Sequence, residues 1–196
     1  GMRDVPIEFI RANKSQPRVT FDEEKLKELS ESIKERGILQ PILIRPLDGQ
    51  NNFEIVAGER RWRAAQLARL DKVPAIIRDL SDKETFEIAI VENVQRADLN
   101  PIEEGAGFRR LMDEFGYTQE ALSKVIGKSR AYIANTLRLL DLPNKVRDLV
   151  VAGDLTQGHA RLLVGMDNAV DIAALIIEEN MSVRQAEAFV RETKNG

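Results

Sequence analysis

The run from Gly58 to Ala65 is the stretch of the sequence whose residue types point most directly to chemistry. An apolar run over 53–57 precedes it and predicts a strand, and residues 61–70 predict a helix. A glycine between a strand and a helix brings backbone N–H groups and the positive end of the helix dipole together, which favours an anion. Arg60, Arg61 and Arg63 add forked donors that suit phosphate oxygens. We interpret the stretch as a phosphate-binding turn without the P-loop pattern; the alternative is a solvated, arginine-rich first helical turn.

A carboxylate and an amide are adjacent at Glu92 and Asn93, near the end of a predicted helix. Magnesium takes hard oxygen ligands and is usually held by one or two side chains together with substrate phosphates. Glu92 and the amide oxygen of Asn93 meet this requirement, and Arg96 would neutralise a phosphate beside them. The pair is therefore a candidate half of a metal–triphosphate site; the alternative is an exposed helix surface.

Residues 118–140 have the spacing of a helix-turn-helix. Thr118 is the expected cap of a short helix, Gly127 supplies the turn, and Ser129 caps the next helix at once. Ile133 and Leu137 are spaced to dock the second helix on the first. A second helix of this kind lies in the major groove of DNA with its first residues toward the base edges. The alternative is an ordinary helical hairpin.

The predicted DNA contacts are exposed residues of this motif and of the start of a later helix. Arginine pairs with guanine in bidentate fashion and asparagine with adenine, while lysine and backbone N–H groups hold phosphate. Thr156 is the expected cap of the later helix, where the lone histidine has no partners for metal binding or general-base catalysis. The predicted contacts are Thr118, Gln119, Lys128, Ser129, Arg130, Tyr132, Asn135, Thr136, Arg138, Gly158, His159 and Arg161.

Composition and charge limit the class of protein. The 196 residues are 43% hydrophobic and 31% charged, with no cysteine, which excludes a disulfide framework and fits the cytoplasm. No apolar run is long enough for a membrane span. The net charge is −3, but residues 118–161 carry seven Lys and Arg against four Asp and Glu. A basic segment in an acidic chain indicates a localised DNA contact.

The remaining sequence predicts an α/β half followed by a helical half. Strands are predicted at residues 5–10, 38–45, 53–57 and 73–78. A capping box of Thr20 and Glu23 predicts a helix that ends at Gly37, and Ser81 with Glu84 predicts another. Helices are then predicted from Pro101 and over 118–126, 129–140, 143–152, 156–165, 168–179 and 182–193. We therefore predict an α+β fold with a boundary near residue 98.

These motifs, in this order, resemble the ParB family of chromosome- and plasmid-partition proteins. The matching stretches are residues 16–18, 37–43, 58–65, 92–104, 118–140 and 155–163. The resemblance implies a small mixed α/β domain of the ParB and sulfiredoxin-like type (residues 1–98) that binds CTP and Mg²⁺, followed by an all-helical helix-turn-helix DNA-binding domain (residues 99–196). It also implies a clamp that binds the palindrome parS, closes around DNA when two nucleotide domains engage, slides, and reopens on slow, DNA-stimulated CTP hydrolysis.

The resemblance also implies roles for single residues. Gln16 and Glu92 would be catalytic, and Glu92 and Asn93 would serve magnesium. The implied nucleotide-binding residues are Arg18, Ser32, Gly37, Gly58, Glu59, Arg60, Arg61, Asn93, Gln95 and Arg96. The implied partners are parS DNA, a second copy of the chain and a ParA-type ATPase, with the protein on the nucleoid and no contact with membrane. Gly1-Met2 suggests a cloning remnant, and we expect a truncated, weakly dimerising chain, because the C-terminal dimerisation domain of full-length members is missing.

The sequence leaves three other interpretations of the function possible. A nucleoid-occlusion factor of the same family would carry an amphipathic membrane segment, for which residues 2–10 are too short and too mixed. A helix-turn-helix regulator would bind DNA without nucleotide hydrolysis. A catalytic relative on the same α/β fold is the third: the sulfiredoxin type is excluded because the chain lacks cysteine, whereas a kinase type is not.

Overall fold

The computed structural model describes residues 1–13, 22–96 and 98–195. They form two compact units, Gly1–Ala89 and Ile90–Gly196. The division falls inside a helix, Asp82–Val94. The predicted α+β fold, with a mixed α/β first part and a helical second part, is confirmed.

In the described residues of the first unit, 1–13 and 22–89, the strands form one five-stranded mixed sheet. Its strands are β1 (Met2–Pro6), β2 (Ile10–Arg11), β3 (Ile42–Pro46), β4 (Phe53–Ala57) and β5 (Lys72–Ile77), in the order β1-β5-β3-β4-β2. β1 pairs with β5, and β3 with β4, in antiparallel fashion, whereas β3–β5 and β2–β4 are parallel. The helices are α1 (Glu23–Arg36), α2 (Glu59–Leu67) and the first part of α3 (Asp82–Val94).

Apolar side chains of the sheet and of the helices packed against it form the core of this unit. Ile42 and Ile44, two residues apart on β3, are both fully buried, as the alternation along a strand requires. Each contributes roughly 1.5–3 kcal/mol through burial. Ile33 of α1 packs with Ala64 of α2 and with Ala68, the residue that follows α2. Small residues on α2 thus let α1 approach it closely.

Local signals placed some elements correctly and others wrongly. β4 has its predicted bounds, and the capping box before α3 is confirmed: Glu84 N donates to Ser81 Oγ at 3.1 Å, and Ser81 N donates to Glu84 Oε1 at 3.1 Å. The predicted strand over 5–10 is wrong, because β1 ends at Pro6 and a single 3₁₀ turn, Ile7–Phe9, follows.

Two other boundaries also differ from the prediction. The predicted cap Thr20 lies outside the described residues, and α1 is capped by Asp22, whose Oδ1 accepts from Glu24 N at 3.0 Å. β3 begins at Ile42 rather than Ile38, because its pairing with β5 begins only at that residue.

The second unit is built from the end of α3 and, in residues 98–195, seven further α-helices and one 3₁₀ turn, Leu139–Asp141, after α6. The α-helices are α4 (Pro101–Phe115), α5 (Gln119–Ile126), α6 (Arg130–Arg138), α7 (Asn144–Val151), α8 (Gln157–Leu163), α9 (Ala169–Glu178) and α10 (Val183–Asn195), as the sequence predicted. Pro101 occupies the first turn of α4, and Asn100 caps it. Phe108, Leu111, Leu122 and Ile133 are fully buried between α4, α5 and α6. Over the residues that the structure describes, no helix is long and apolar enough to cross a membrane.

Candidate nucleotide turn and nucleic-acid interface

The turn at the start of α2 depends on Gly58. Its φ of +97° lies in the left-handed region, which an L side chain rarely adopts, and it is the N-cap of the helix. A Cβ at this position would lie 2.8 Å from Ile42 Cγ2 and 3.0 Å from Arg61 Nη2. The turn is therefore packed directly on β3, with no space for a side chain. Sequence and structure agree that a glycine connects strand and helix here.

The charged side chains of this turn have different surroundings. Arg61 Nη1 donates to the carbonyl oxygens of Gln40 and Pro41, at 2.8 Å each. Arg61 thus ties the segment before β3 to the start of α2. Arg60 is exposed, and Glu59 Oε1 pairs with Arg63 Nη2 at 3.3 Å, one turn along the helix. The turn thus carries exposed positive charge beside a fixed backbone, which suits a phosphate group.

Arg45 is a residue that the sequence analysis missed. Its Nε and Nη2 donate to Glu54 Oε1 at 3.0 and 2.8 Å, and its Nη1 donates to the carbonyl oxygen of Leu80 at 3.1 Å. It also pairs with Asp82, the first residue of α3, at 2.8 Å. The pKa of Arg45 is raised, because these carboxylates outweigh the desolvation by burial that would lower it. Arg45 therefore connects β3 to Glu54 of β4 and to the segment that leads into α3; no local sequence pattern indicates such contacts.

The carboxylate–amide pair lies in the last turn of α3. Glu92 is exposed and Asn93 half-buried. Their side chains offer one carboxylate and one amide oxygen, a donor set that fits Mg²⁺ when phosphate and water complete the shell. Across the described ranges, no group of three or more His, Cys, Asp or Glu could hold a metal by itself. Two side-chain oxygens would leave the rest of a Mg²⁺ shell to water and phosphate.

The two residues after this pair make contacts of their own. Gln95 Nε2 donates to the carbonyl oxygen of Val125, at the end of α5, at 3.1 Å. Arg96 Nη2 pairs with Asp98 at 2.9 Å. These contacts occupy groups that were predicted to lie near a nucleotide, and the nucleotide-binding role of both residues stays a prediction.

The helix-turn-helix has the predicted caps and turn. Thr118 Oγ1 accepts from Ala121 N at 3.0 Å, and Ser129 Oγ accepts from Tyr132 N at 3.0 Å. Gly127 ends α5 with a φ of +79°. Ser129, Arg130 and Ala131 at the start of α6 are exposed, as a helix that enters a groove requires.

Most of the predicted DNA contacts are accessible. Thr118, Gln119, Lys128, Ser129, Arg130 and Arg138 are exposed, and Asn135 is half-buried. Arg130 Nη2 lies 3.5 Å from Glu120 Oε1, and both side chains are more than half exposed, so the pair is weak. Asn135, Arg138, Gly158 and Arg161 line one cleft between α6, α8 and α10. The structure thus brings together residues that the sequence placed in two separate segments.

Thr136 was predicted to be exposed, and that prediction is wrong. Its side chain is fully buried on the face of α6 that also carries Ile133 and Leu137. Thr136 Oγ1 donates to the carbonyl oxygen of Tyr132 at 2.8 Å and accepts from Gln157 Nε2 at 3.1 Å. A buried, doubly bonded hydroxyl does not reach a base edge.

Tyr132 is also turned toward the protein. Burial, followed by a hydrogen bond with Glu104 of α4, raises the pKa of Tyr132 to about 12. Lys128 Nζ lies 5.3 Å from the centroid of the Tyr132 ring. The hydroxyl therefore lies on the side of Glu104 and α4, and the ring lies beside Lys128.

His159 does not have the surroundings of a DNA contact. Its Nδ1 lies 3.3 Å from Thr156 N and 2.9 Å from Thr156 Oγ1, and its Nε2 lies 2.9 Å from the carbonyl oxygen of Met181. Both ring nitrogens are thus engaged inside the unit, which contradicts a contact with phosphate or base through either of them. The spacing of a threonine cap and a polar residue three positions later was the signal available in the sequence.

Comparison with known proteins places this geometry in a family. A model of the ParB N-terminal domain matches residues 1–94, and a model of the ParB HTH domain matches residues 97–195. The chain belongs to the ParB family. The chromosome-partitioning protein ParB of Myxococcus xanthus is 52% identical over 198 residues, a match that covers 100% of this chain and 66% of that relative. The chain thus spans less than two thirds of the length of this ParB protein.

Solved structures of a ParB protein also match. The C-terminally truncated chromosome-partitioning protein ParB from Caulobacter crescentus complexed to the centromeric parS site has a TM-score of 0.89 and 50% sequence identity, and covers 97% of this chain and 99% of its own. The same truncated protein complexed with CTP-γ-S has 52% sequence identity and a TM-score of 0.47, over 90% of this chain and 99% of its own.

The resemblance to the ParB family also implies roles for residues that take no part in the contacts described above. Ser32 is exposed on α1, and Gly37 follows that helix with a φ of +72° and is exposed. Gln16 and Arg18 lie outside the described residues. Their nucleotide or catalytic roles stay predictions, as does the domain boundary near residue 98.

Proposed function

We infer that the chain is the nucleotide- and DNA-binding part of a chromosome-partitioning protein that binds parS and uses CTP as a switch. The observation that carries this proposal is the match of both units, in order, to the two ParB domains. The parS complex of the Caulobacter relative supports the DNA partner, because its fold and half of its sequence agree with this chain.

DNA recognition is assigned to the start of α6. Arg130 is exposed in its first turn, and Asn135 faces the cleft that Arg138 and Arg161 share. Arginine binds guanine and asparagine binds adenine through paired hydrogen bonds, so Arg130 and Asn135 would select bases. Arg138 and Arg161 would contact phosphates, which fix the position of the protein on the duplex.

Nucleotide binding is assigned to the turn at Gly58. The backbone from Gly58 and the side chains of Arg60 and Arg61 would hold the triphosphate, and Glu92 and Asn93 would hold Mg²⁺. Bound Mg²⁺ would neutralise charge on the phosphates. The sequence identity of 52% to a relative that binds CTP-γ-S supports CTP as the nucleotide. Gln16 would assist hydrolysis, and Arg18 would contact phosphate.

Hydrolysis is proposed to be a timer. A switch needs a slow reaction, so positioning and charge stabilisation suffice without a strong general base. Binding of parS would promote engagement of two nucleotide-binding units and closure around DNA, and CDP formation would reopen the clamp. A ParA-type ATPase would be the partner that moves the complex on the nucleoid.

CDP release measured with parS, with a scrambled duplex and without DNA tests the proposal. We expect CDP formation that parS stimulates and the scrambled duplex does not. Glu92→Gln should bind CTP and lose turnover. Specific parS binding with no CDP under any condition would indicate a regulator without hydrolysis, and phosphate transfer to a protein serine would indicate a kinase-type relative.

A further inference from the structure

We propose that Gln157 and His159 are positioning residues that hold Arg161 beside the DNA-recognition helix α6, and that neither side chain contacts DNA. The proposal rests on the proposed function, since it concerns how DNA phosphates are bound. It assigns a role to Gln157, which has no predicted contact, and a different role to His159.

Gln157 connects the first turn of α8 to the recognition helix. Its Nε2 donates to Thr136 Oγ1 at 3.1 Å, and that hydroxyl donates in turn to the carbonyl oxygen of Tyr132. Thr136 is fully buried, so the bond is shielded from water on its α6 side. A hydrogen bond between two elements at a buried site fixes their distance more strongly than an exposed one does.

His159 anchors the same turn on its other side. Nε2 must carry the proton in order to donate to the Met181 carbonyl oxygen, so Nδ1 is the acceptor for Thr156. Thr156 Oγ1 accepts from His159 N at 3.2 Å, which completes a reciprocal cap of α8. One ring therefore fixes both the start of α8 and its position beside the segment that leads into α10.

The packing around Gly158 leaves α8 little freedom to shift. A Cβ on Gly158 would lie 3.0 Å from Cγ2 and 3.3 Å from Cγ1 of Val183, the first residue of α10. The turn that carries Gln157 and His159 is thus in close contact with α10 as well as bonded to α6.

Arg161 is the charged residue that these anchors place. It is exposed, lies one turn further along α8, and lines the cleft of about 340 Å³ that Arg138 of α6 also lines. The separation of the two guanidinium groups depends on how α8 sits against α6. Gln157 and His159 hold α8 at that position, so they set the spacing of the two arginines to which phosphate contacts are assigned.

The test is a double-mutant cycle on parS affinity, measured by fluorescence anisotropy over a range of salt concentrations. We expect His159→Ala and Gln157→Leu each to weaken binding by roughly tenfold, and His159→Ala to add less than about twofold in an Arg161→Ala background. His159→Ala should also lower the slope of log K against log salt by about one, as loss of one phosphate contact does. The control is Arg184→Ala, which removes an exposed arginine of α10 outside the cleft. Its effects on the parS affinity and on the salt slope should not exceed those of losing one exposed positive charge.

Two further measurements keep the proposal testable if His159→Ala unfolds. His159→Gln retains an acceptor for the cap and should recover part of the affinity, because glutamine at this position forms the usual capping box. In the wild-type chain, ¹⁵N spectra of the ring should show the Nε2-protonated form with and without parS. Additive effects of His159 and Arg161 variants, or a ring that changes its protonation pattern on binding parS, would overturn the proposal. Absence of parS binding by the wild-type chain would overturn the proposed function instead.

Discussion

Replacement of Gly58 by alanine tests the geometry of the turn from which the proposed nucleotide site is built. The new methyl group would meet Ile42 Cγ2 at 2.8 Å, and the residue would have to keep a φ of +97°. A left-handed backbone costs an L residue about 1–2 kcal/mol. Forcing an extra carbon into a packed core costs typically 1–3 kcal/mol. We therefore expect Gly58→Ala to destabilise the first unit by about 2–5 kcal/mol.

Gly49→Ala is the matched control for this substitution. Gly49 has a φ of +93° in the loop before β4, and nothing lies within 4 Å of a Cβ built on it. Its replacement should carry the backbone cost alone, about 1–2 kcal/mol. The difference between the two variants therefore isolates the contact with Ile42.

Trp62 provides the assay. It is the one tryptophan of the chain, it is buried, and it lies on α2 directly after the turn. Its fluorescence during urea unfolding reports this unit, and a loss of 3 kcal/mol shifts the midpoint by about 1–3 M at usual m-values. Equal midpoints for the two variants would refute the close packing of Gly58 on β3. If they differ as expected, Gly58→Ala should also weaken nucleotide binding, whereas Gly49→Ala should not.

Three further predictions concern single side chains. Arg45→Met should destabilise the first unit by about 3–5 kcal/mol in urea unfolding, because it leaves the largely buried Glu54 unpaired. Asp82→Asn removes a partner whose side chain is 96% exposed and should cost less than about 1 kcal/mol. Equal losses of stability in the two variants would contradict this account. The raised pKa of Tyr132 stabilises the fold fully below pH 10, where the unfolded phenol is protonated, and this contribution is lost as the pH rises toward about 12. Wild type should therefore lose more stability than Tyr132→Phe between pH 9 and 11 by chemical denaturation, and parallel profiles would argue against a raised pKa at Tyr132. Arg130→Ala should relax base preference at one position by about 1–3 kcal/mol in competition binding with parS variants, and an unchanged preference would place base recognition elsewhere.

What the sequence predicted correctly depends on neighbours along the chain. The caps at Ser81, Thr118 and Ser129 need only a hydroxyl two or three residues before an N–H group, so local spacing was enough. The glycine turn at Gly58 was equally local. The same rule gave the bounds of the helices after residue 100 to within a few residues.

What it missed depends on contacts between distant residues. Thr136 looked accessible because α6 alone does not show which of its faces α8 will cover. The bond from Gln157 crosses 21 positions, and that of Arg45 to Leu80 crosses 35. β1 begins at Met2 because that residue pairs with Ile76 of β5, a partner that no local pattern indicates. The identity of the nucleotide was not predictable from the turn, since backbone N–H groups and arginines bind any triphosphate.

Calorimetric titration of CTP, ATP and GTP into the chain, with Mg²⁺ and parS DNA present, tests the central claim most directly. The account predicts saturable binding of CTP, weaker or no binding of the two purine nucleotides, and loss of the CTP signal in Arg60→Ala while parS binding remains. No heat of binding with any of the three nucleotides at saturating concentrations, in a chain that still binds parS, would contradict a triphosphate site at Gly58.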